Sequence, residues 1–190
     1  MQFSLFGAAA APPTLDDLDG VLLAGGHWVR SSDSARLSVV VADRWRAEAL
    51  AEAFGERQVL AADAIGPAET GLTVRTMFAP VLAPRAARWT HGALQLPPPD
   101  FVLTAGGLRL WAIAVGHPDE TGYLLGTAEV DDQVHRAAGA QLSRLGIAGV
   151  SIGLRGGPGW RVTSLKRLRR LIELVGEPPS GGADAWPRFG

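Results

Sequence analysis

The sequence predicts an α+β fold built from two repeats, each αββαββα, with antiparallel sheets. Three observations lead there. The stretch LDGVLLAGG at 18–26 has a partner, LRLWAIAVG, at 108–116. Both are apolar, rich in small residues and closed by glycine, as helices that pack backbone to backbone must be. Each is followed by an extended stretch and then an Asp-capped helix that stops at a glycine. The distance from the closing glycine to the capping aspartate is 17 positions in one half (Gly26 to Asp43) and 16 in the other (Gly116 to Asp132).

Taken in order, residues 2–6 (QFSLF) precede a small-residue and proline linker at 7–13. They read as a recognition peptide on a mobile tether or as a terminal edge strand. Residues 14–26 form the first helix, capped by Thr14 or Asp16. Asp16, Asp17 and Asp19 lie in its first turn, where acids stabilise the helix dipole, and that role accounts for them better than a metal site does. Residues 27–42 are strand, with a turn at 31–34 and the β-branched run at 37–41. Asp43 caps a helix that places Trp45, Leu50 and Phe54 on one face and ends at Gly55. Residues 57–65 and 71–77 make a strand pair. Residues 78–91 are helical in their later part, because Pro80 and Pro84 restrict the start. Residues 94–100 cross between the halves.

The second half repeats the order. Helix 104–116 leads to a turn over 118–122 and a strand over 123–130. Asp131 or Asp132 caps a helix with Val134, Ala138, Leu142 and Leu145 on one face, closed by Gly146. Strands 148–155 and 159–163 flank a hairpin turn at 156–158. The last helix, 164–175, buries Leu165, Leu168, Leu171, Ile172 and Val175 and stops at Gly176 and Pro178. The units are therefore 1–13, a first repeat at 14–95, a second at 96–176 and a flexible tail at 177–190, which has Trp186 and Phe189 for anchors if it docks.

Composition sets outer limits. A chain of 190 residues, 47% apolar and 19% charged, can build one core shared by two small repeats. There is no cysteine, so neither a disulfide frame nor a thiolate metal site is available. No apolar run reaches the ~18 residues of a membrane span, and no basic segment opens a signal peptide, which makes a cytoplasmic monomer the expectation. The histidines at 27, 91, 117 and 135 have no ligand spacing and read as structural or surface residues, so no metal or cofactor is expected.

A net charge of −1 does not announce a nucleic-acid binder, but its distribution is uneven. From 143 to 170 there is no acid and there are seven bases: Arg144, Arg155, Arg161, Lys166, Arg167, Arg169 and Arg170. Such a run is either a solvated face or a phosphate-contacting patch, and Lys166, Arg167 and Arg170 are the helical candidates for the second role.

The stretch at 18–26 resembles a decayed LAGLIDADG motif, the signature of a homing-endonuclease family: Leu18, Gly20, Ala24 and Gly26 match it letter for letter. Residues 96–116 resemble that family's second segment, with Trp111 and Gly116 at the expected places. The resemblance covers about 14–176. It implies two antiparallel sheets forming a saddle that enters the DNA major groove, and it makes Arg30, Arg36, Arg75, Arg155 and Arg161 candidate DNA contacts. It also implies a catalytic acid just before each closing glycine. Those places hold Gly25 and Val115, which neither ligate a metal nor move a proton, so the expected protein is not an enzyme. Finally, Gln2, Phe3, Ser4, Leu5 and Phe6 resemble the peptide that binds the bacterial sliding clamp. Together these imply a non-catalytic, double-stranded-DNA-associated accessory protein of replication or repair. A transcription regulator on the same inactive fold and a residual metal-dependent endonuclease are the alternatives.

Overall fold

The computed structural model describes residues 7–8, 11–127, 132–153 and 157–188. The first repeat runs α1 (Asp19–Leu23), β1 (His27–Arg30), β2 (Ala35–Val41), α2 (Arg44–Glu56), β3 (Leu60–Ala68), β4 (Gly71–Thr76) and α3 (Ala83–Trp89). A small hairpin, β5 (Thr90–His91) with β6 (Leu94–Gln95), closes it. The second repeat runs α4 (Ala105–Val115), β7 (His117–Asp119), β8 (Gly122–Gly126), α5 (Asp132–Arg144), β9 (Val150–Ile152), β10 (Gly159–Val162) and α6 (Leu165–Val175). The two large sheets have the same strand order, β1-β2-β4-β3 and β7-β8-β10-β9, and every pairing in them is antiparallel. This is the predicted αββαββα order, twice.

The two halves join through their central helices. A Cβ added to Gly20 on α1 would stand 1.8 Å from the Gly107 carbonyl oxygen on α4, so the two backbones touch where a side chain would hold them apart. Around that contact Leu18, Val21, Leu23, Leu108 and Trp111 are fully buried. The halves also clasp each other: α2 packs on α4, and α5 on α1. Trp111 ties α4 to its own sheet, its indole N–H donating to the Gly126 carbonyl at 2.6 Å.

Several local expectations are corrected. The first helix is not continuous over 14–26; a 3₁₀ turn at Leu15–Leu18, capped at Thr14, precedes a short α1. Glycine 25, with φ +93°, takes the left-handed position after α1. Gly116 stays extended and is needed for a different reason: a Cβ there would meet the Tyr123 hydroxyl at 2.2 Å. Pro118 and Asp119, expected in a turn over 118–122, belong instead to strand β7, whose polar sequence and Pro118 suit the edge position it occupies. On α6 Leu165 is exposed and Leu174 buried, because the helix begins one residue after its Ser164 cap and its first turn overhangs the core.

The segment expected as a flexible tail is docked as far as it is described. Trp186 is buried and its indole N–H donates to the Gly176 carbonyl at 2.7 Å, while the Arg109 guanidinium lies 5.2 Å from its ring centre. The Tyr123 hydroxyl donates to the Ala185 carbonyl, and Gly182 packs on Trp45. An aromatic anchor with its N–H satisfied outweighs the disorder that a Pro/Gly-rich composition predicts.

Candidate nucleic-acid interface

Each large sheet has one face on the helices and one turned away. On β2, Ala35, Leu37, Val39 and Val41 are buried in the core, so Arg36, Ser38 and Val40 belong to the outer face. Register carries this across the sheet: His27 stands opposite Ser38, and Ser38 opposite Arg75, which puts all three abreast on the outer face. In the second sheet His117 stands opposite Leu124, and Leu124 opposite Arg161. The two repeats therefore present the same row, with histidine on the first strand and arginine on the third. Each histidine directly follows the glycine that ends a central helix. That adjacency, Gly26-His27 and Gly116-His117, is visible in the sequence, although without ligand spacing it points there only to structural or surface residues.

The arginines differ in their surroundings. Arg36 has no acidic partner among the described residues; its guanidinium lies 4.7 Å from the centre of the Phe78 ring, and its Nε is buried without a hydrogen bond. Arg75 reaches Asp63 at 3.5 Å, and Asp63 is itself largely exposed, so that pair is weak. Arg161 is held by Asp119, which also accepts the Thr121 N–H at 3.0 Å. Burial opposes ionisation of Asp119, but the Thr121 N–H and the Arg161 guanidinium outweigh it and keep the carboxyl below its usual range. Burial, and then the charge of Arg36, lowers the pKa of His27 below the ordinary imidazole value.

The other predicted contacts are not on these faces. Arg30 stands opposite Ala35 at the tip of β1, on the side of the helices. Lys166, Arg167 and Arg170 are on α6, which packs against α4 in the helical layer. Arg155 and the peptide residues Gln2, Phe3, Ser4, Leu5 and Phe6 lie outside the described residues.

The two places where the resemblance puts catalytic acids sit at the ends of the central helices, Gly25 after α1 and Val115 in the last turn of α4. Beside the second is a residue that sequence reading missed. Arg46, 6% exposed, donates to the Ile113 carbonyl at 2.7 Å and the Gly116 carbonyl at 2.8 Å, and pairs with Asp43 at 2.9 Å. A buried cation thus caps the negative end of α4. Its only trace in the sequence is its place three residues after a capping aspartate. At the opposite end of the central helices the three early carboxylates are each matched to arginine: Asp17 with Arg57 at 2.6 Å, and Asp16 and Asp19 with Arg85. Burial pushes the Asp19 carboxyl up to about 7, but the Arg85 guanidinium, 2.9 Å from both its oxygens, favours the ionised form, and the ion pair decides its state. A cavity of about 720 Å³ opens near this end, lined by Arg57, Thr104, Arg109 and Gly176 among others, away from the outer sheet faces.

No protein-family model matches the sequence, and neither does any curated protein. Solved structures do match. The homing endonuclease I-WcaI, in complex with its DNA recognition sequence, aligns with a TM-score of 0.60 at 12% identity, over 90% of this chain and 83% of that one. The N-terminal LAGLIDADG domain of DUF199/WhiA aligns with a TM-score of 0.55 at 12% identity, over 89% and 84%. The fold of this chain is LAGLIDADG-like, as its two helix motifs implied.

Proposed function

We propose that this chain is a non-catalytic, DNA-associated accessory protein of replication or repair, held to the bacterial sliding clamp by residues 2–6 and to duplex DNA by its outer sheet faces. The observation that carries the DNA contact is Arg36: a half-buried guanidinium on an outer sheet face, free of any described acid, in the same sheet as Arg75. A guanidinium already stripped of water and lacking a counter-ion gains most from a phosphate. The fold it shares with a DNA-bound endonuclease supports the same surface. The non-catalytic part rests on Gly25 and Val115, since metal-assisted hydrolysis requires carboxylates where these residues stand. The clamp contact rests on the QFSLF sequence, whose adjacent Leu5 and Phe6 can fill a preformed pocket while Gln2 fixes register.

The test has two arms. Duplex binding is followed by fluorescence anisotropy between 50 and 200 mM salt; Arg36→Ala with Arg75→Ala lowers the slope of log affinity against log salt by about 2, at roughly 0.9 per phosphate contact. Clamp binding is followed calorimetrically, and Leu5→Ala with Phe6→Ala abolishes it. Magnesium-dependent nicking of plasmid that stays with the protein through purification would restore the endonuclease reading.

A further inference from the structure

The bases of the last helix, removed from the sheet faces by the fold, form a surface of their own. Lys166, Arg169, Arg170 and Glu173 are spaced i, i+3, i+4 and i+7 and share one face of α6, opposite the buried Leu168, Leu171 and Leu174. With Gly146 at the end of α5 they line an open cleft of about 410 Å³. Arg144, two residues before Gly146 in the chain, and Arg167, next to Lys166 on α6, are also exposed. Among the described residues Glu173 is the one acid lining the cleft, and it faces Arg170 at 3.4 Å, so the lining carries a net positive charge. Among the described residues nothing aromatic lines it, and a surface without a stacking platform reads charge and not bases.

We infer that this cleft is a second, sequence-independent binding surface for the phosphodiester backbone of nucleic acid, separate from the sheet faces. The two guanidiniums and one ammonium that line the cleft suit a run of phosphates, because arginine grips each phosphate with paired donors and a nucleic-acid backbone carries a charge at every residue. The cleft opens from the helical layer, whereas Arg36, Arg75 and Arg161 look out from the opposite layer. A straight duplex seated on one surface leaves the other open, and the chain can hold two nucleic-acid segments together. The inference rests on the DNA-associated reading above.

The experiment uses the full chain, random-sequence 20-base-pair duplexes and samples that sediment as monomers. In the Lys166→Ala, Arg169→Ala variant two phosphate contacts go, the salt slope falls by about 2, and raising salt fourfold costs about twelvefold less affinity than in the parent. Both side chains are exposed, so the thermal midpoint moves by about 2 °C or less. On beads carrying one duplex, the parent captures a second, labelled duplex; the α6 variant and the Arg36→Ala, Arg75→Ala variant both lose that capture while still binding one duplex. An α6 variant with parental slope and parental capture overturns the second surface and leaves the sheet surface standing. A parent that binds no duplex at 50 mM salt overturns both. Displacement of the duplex by inorganic phosphate at constant ionic strength, or tighter binding of polyglutamate than of duplex, assigns the cleft to small anions or to acidic protein and overturns the inference.

Discussion

Replacing Gly20 by alanine tests the contact on which the two-repeat architecture depends. In the structure the new Cβ lies 1.8 Å from the Gly107 carbonyl oxygen, 2.5 Å from its carbon and 2.9 Å from its Cα. All three are backbone atoms of a helix, so no rotamer change relieves the overlap. α1 and α4 must separate by more than an ångström, which loosens Leu18, Val21, Leu23, Leu108 and Trp111 at once. Overpacking of this kind costs ~3 kcal/mol, at the upper part of its usual range, and outweighs the ~1 kcal/mol that alanine gains over glycine in a helix. For a chain of this length the net loss of ~2 kcal/mol lowers the thermal midpoint by roughly 4–8 °C. Gly107→Ala is the internal control. Its Cβ meets the Leu103 Cδ1 at 3.0 Å, the Thr104 Oγ at 3.1 Å and the Asp17 carbonyl oxygen at 3.3 Å, overlaps relieved by shifts of a few tenths of an ångström, so its cost is smaller. Urea unfolding followed by tryptophan fluorescence reads both. If Gly20→Ala is as stable as the parent, or no less stable than Gly107→Ala, the helices do not meet as described.

Trp186→Ala removes the anchor of the docked C-terminal segment, its hydrogen bond to Gly176 and its contact with Arg109, and is expected to cost about 3–5 kcal/mol in urea unfolding. A loss below 1 kcal/mol would mean that the segment contributes nothing to the fold. For His27, whose folded pKa is lowered from 6.5, the unfolded chain takes up the proton first as pH falls through that value, so its contribution is complete above about pH 6.5 and is lost below it. The difference in stability between the parent and His27→Gln therefore changes between pH 7.5 and 5.5, in the direction of relative loss for the parent, and a difference that does not vary with pH refutes the assignment.

What the sequence made legible, and what it did not, follows from the range of the forces involved. The central helices were readable because small residues and a closing glycine are local requirements of a backbone-to-backbone contact. The nearly equal spacing from each glycine to the next capping aspartate, 17 and 16 positions, exposes the duplication, because each interval spans one hairpin. The outer sheet faces were only half readable. Arg36, Arg75 and Arg161 were named, but Arg30 was named with them, since one residue of register decides which face a strand residue joins and sequence does not fix that residue at a strand tip. Lys166, Arg167 and Arg170 were grouped with the strand arginines by nearness along the chain, although the turn after β10 sends them to the other layer. Asp119 and Asp63, which neutralise Arg161 and Arg75, were invisible as partners because each pairing is set by cross-strand geometry.

The same pairings bear on how firmly such a chain can hold DNA. Two of the three outer-face arginines already have an aspartate, and only Arg36 lacks one among the described residues. On the proposed reading a duplex must displace or share those aspartates, so the sheet faces alone would give weak, salt-sensitive binding, in keeping with a chain of net charge −1. On the proposed reading the remaining strength comes from linkage. Gly7 lies against α6, where a Cβ would stand 2.5 Å from the Glu173 carbonyl oxygen, and it lines the cavity shared with Arg57 and Arg109. A chain captured by its first residues thus presents α6 at short range to whatever nucleic acid lies near the capture point. The second contact then forms at an effective concentration set by a few residues of tether, so two weak surfaces and a short peptide together hold what none of them holds alone.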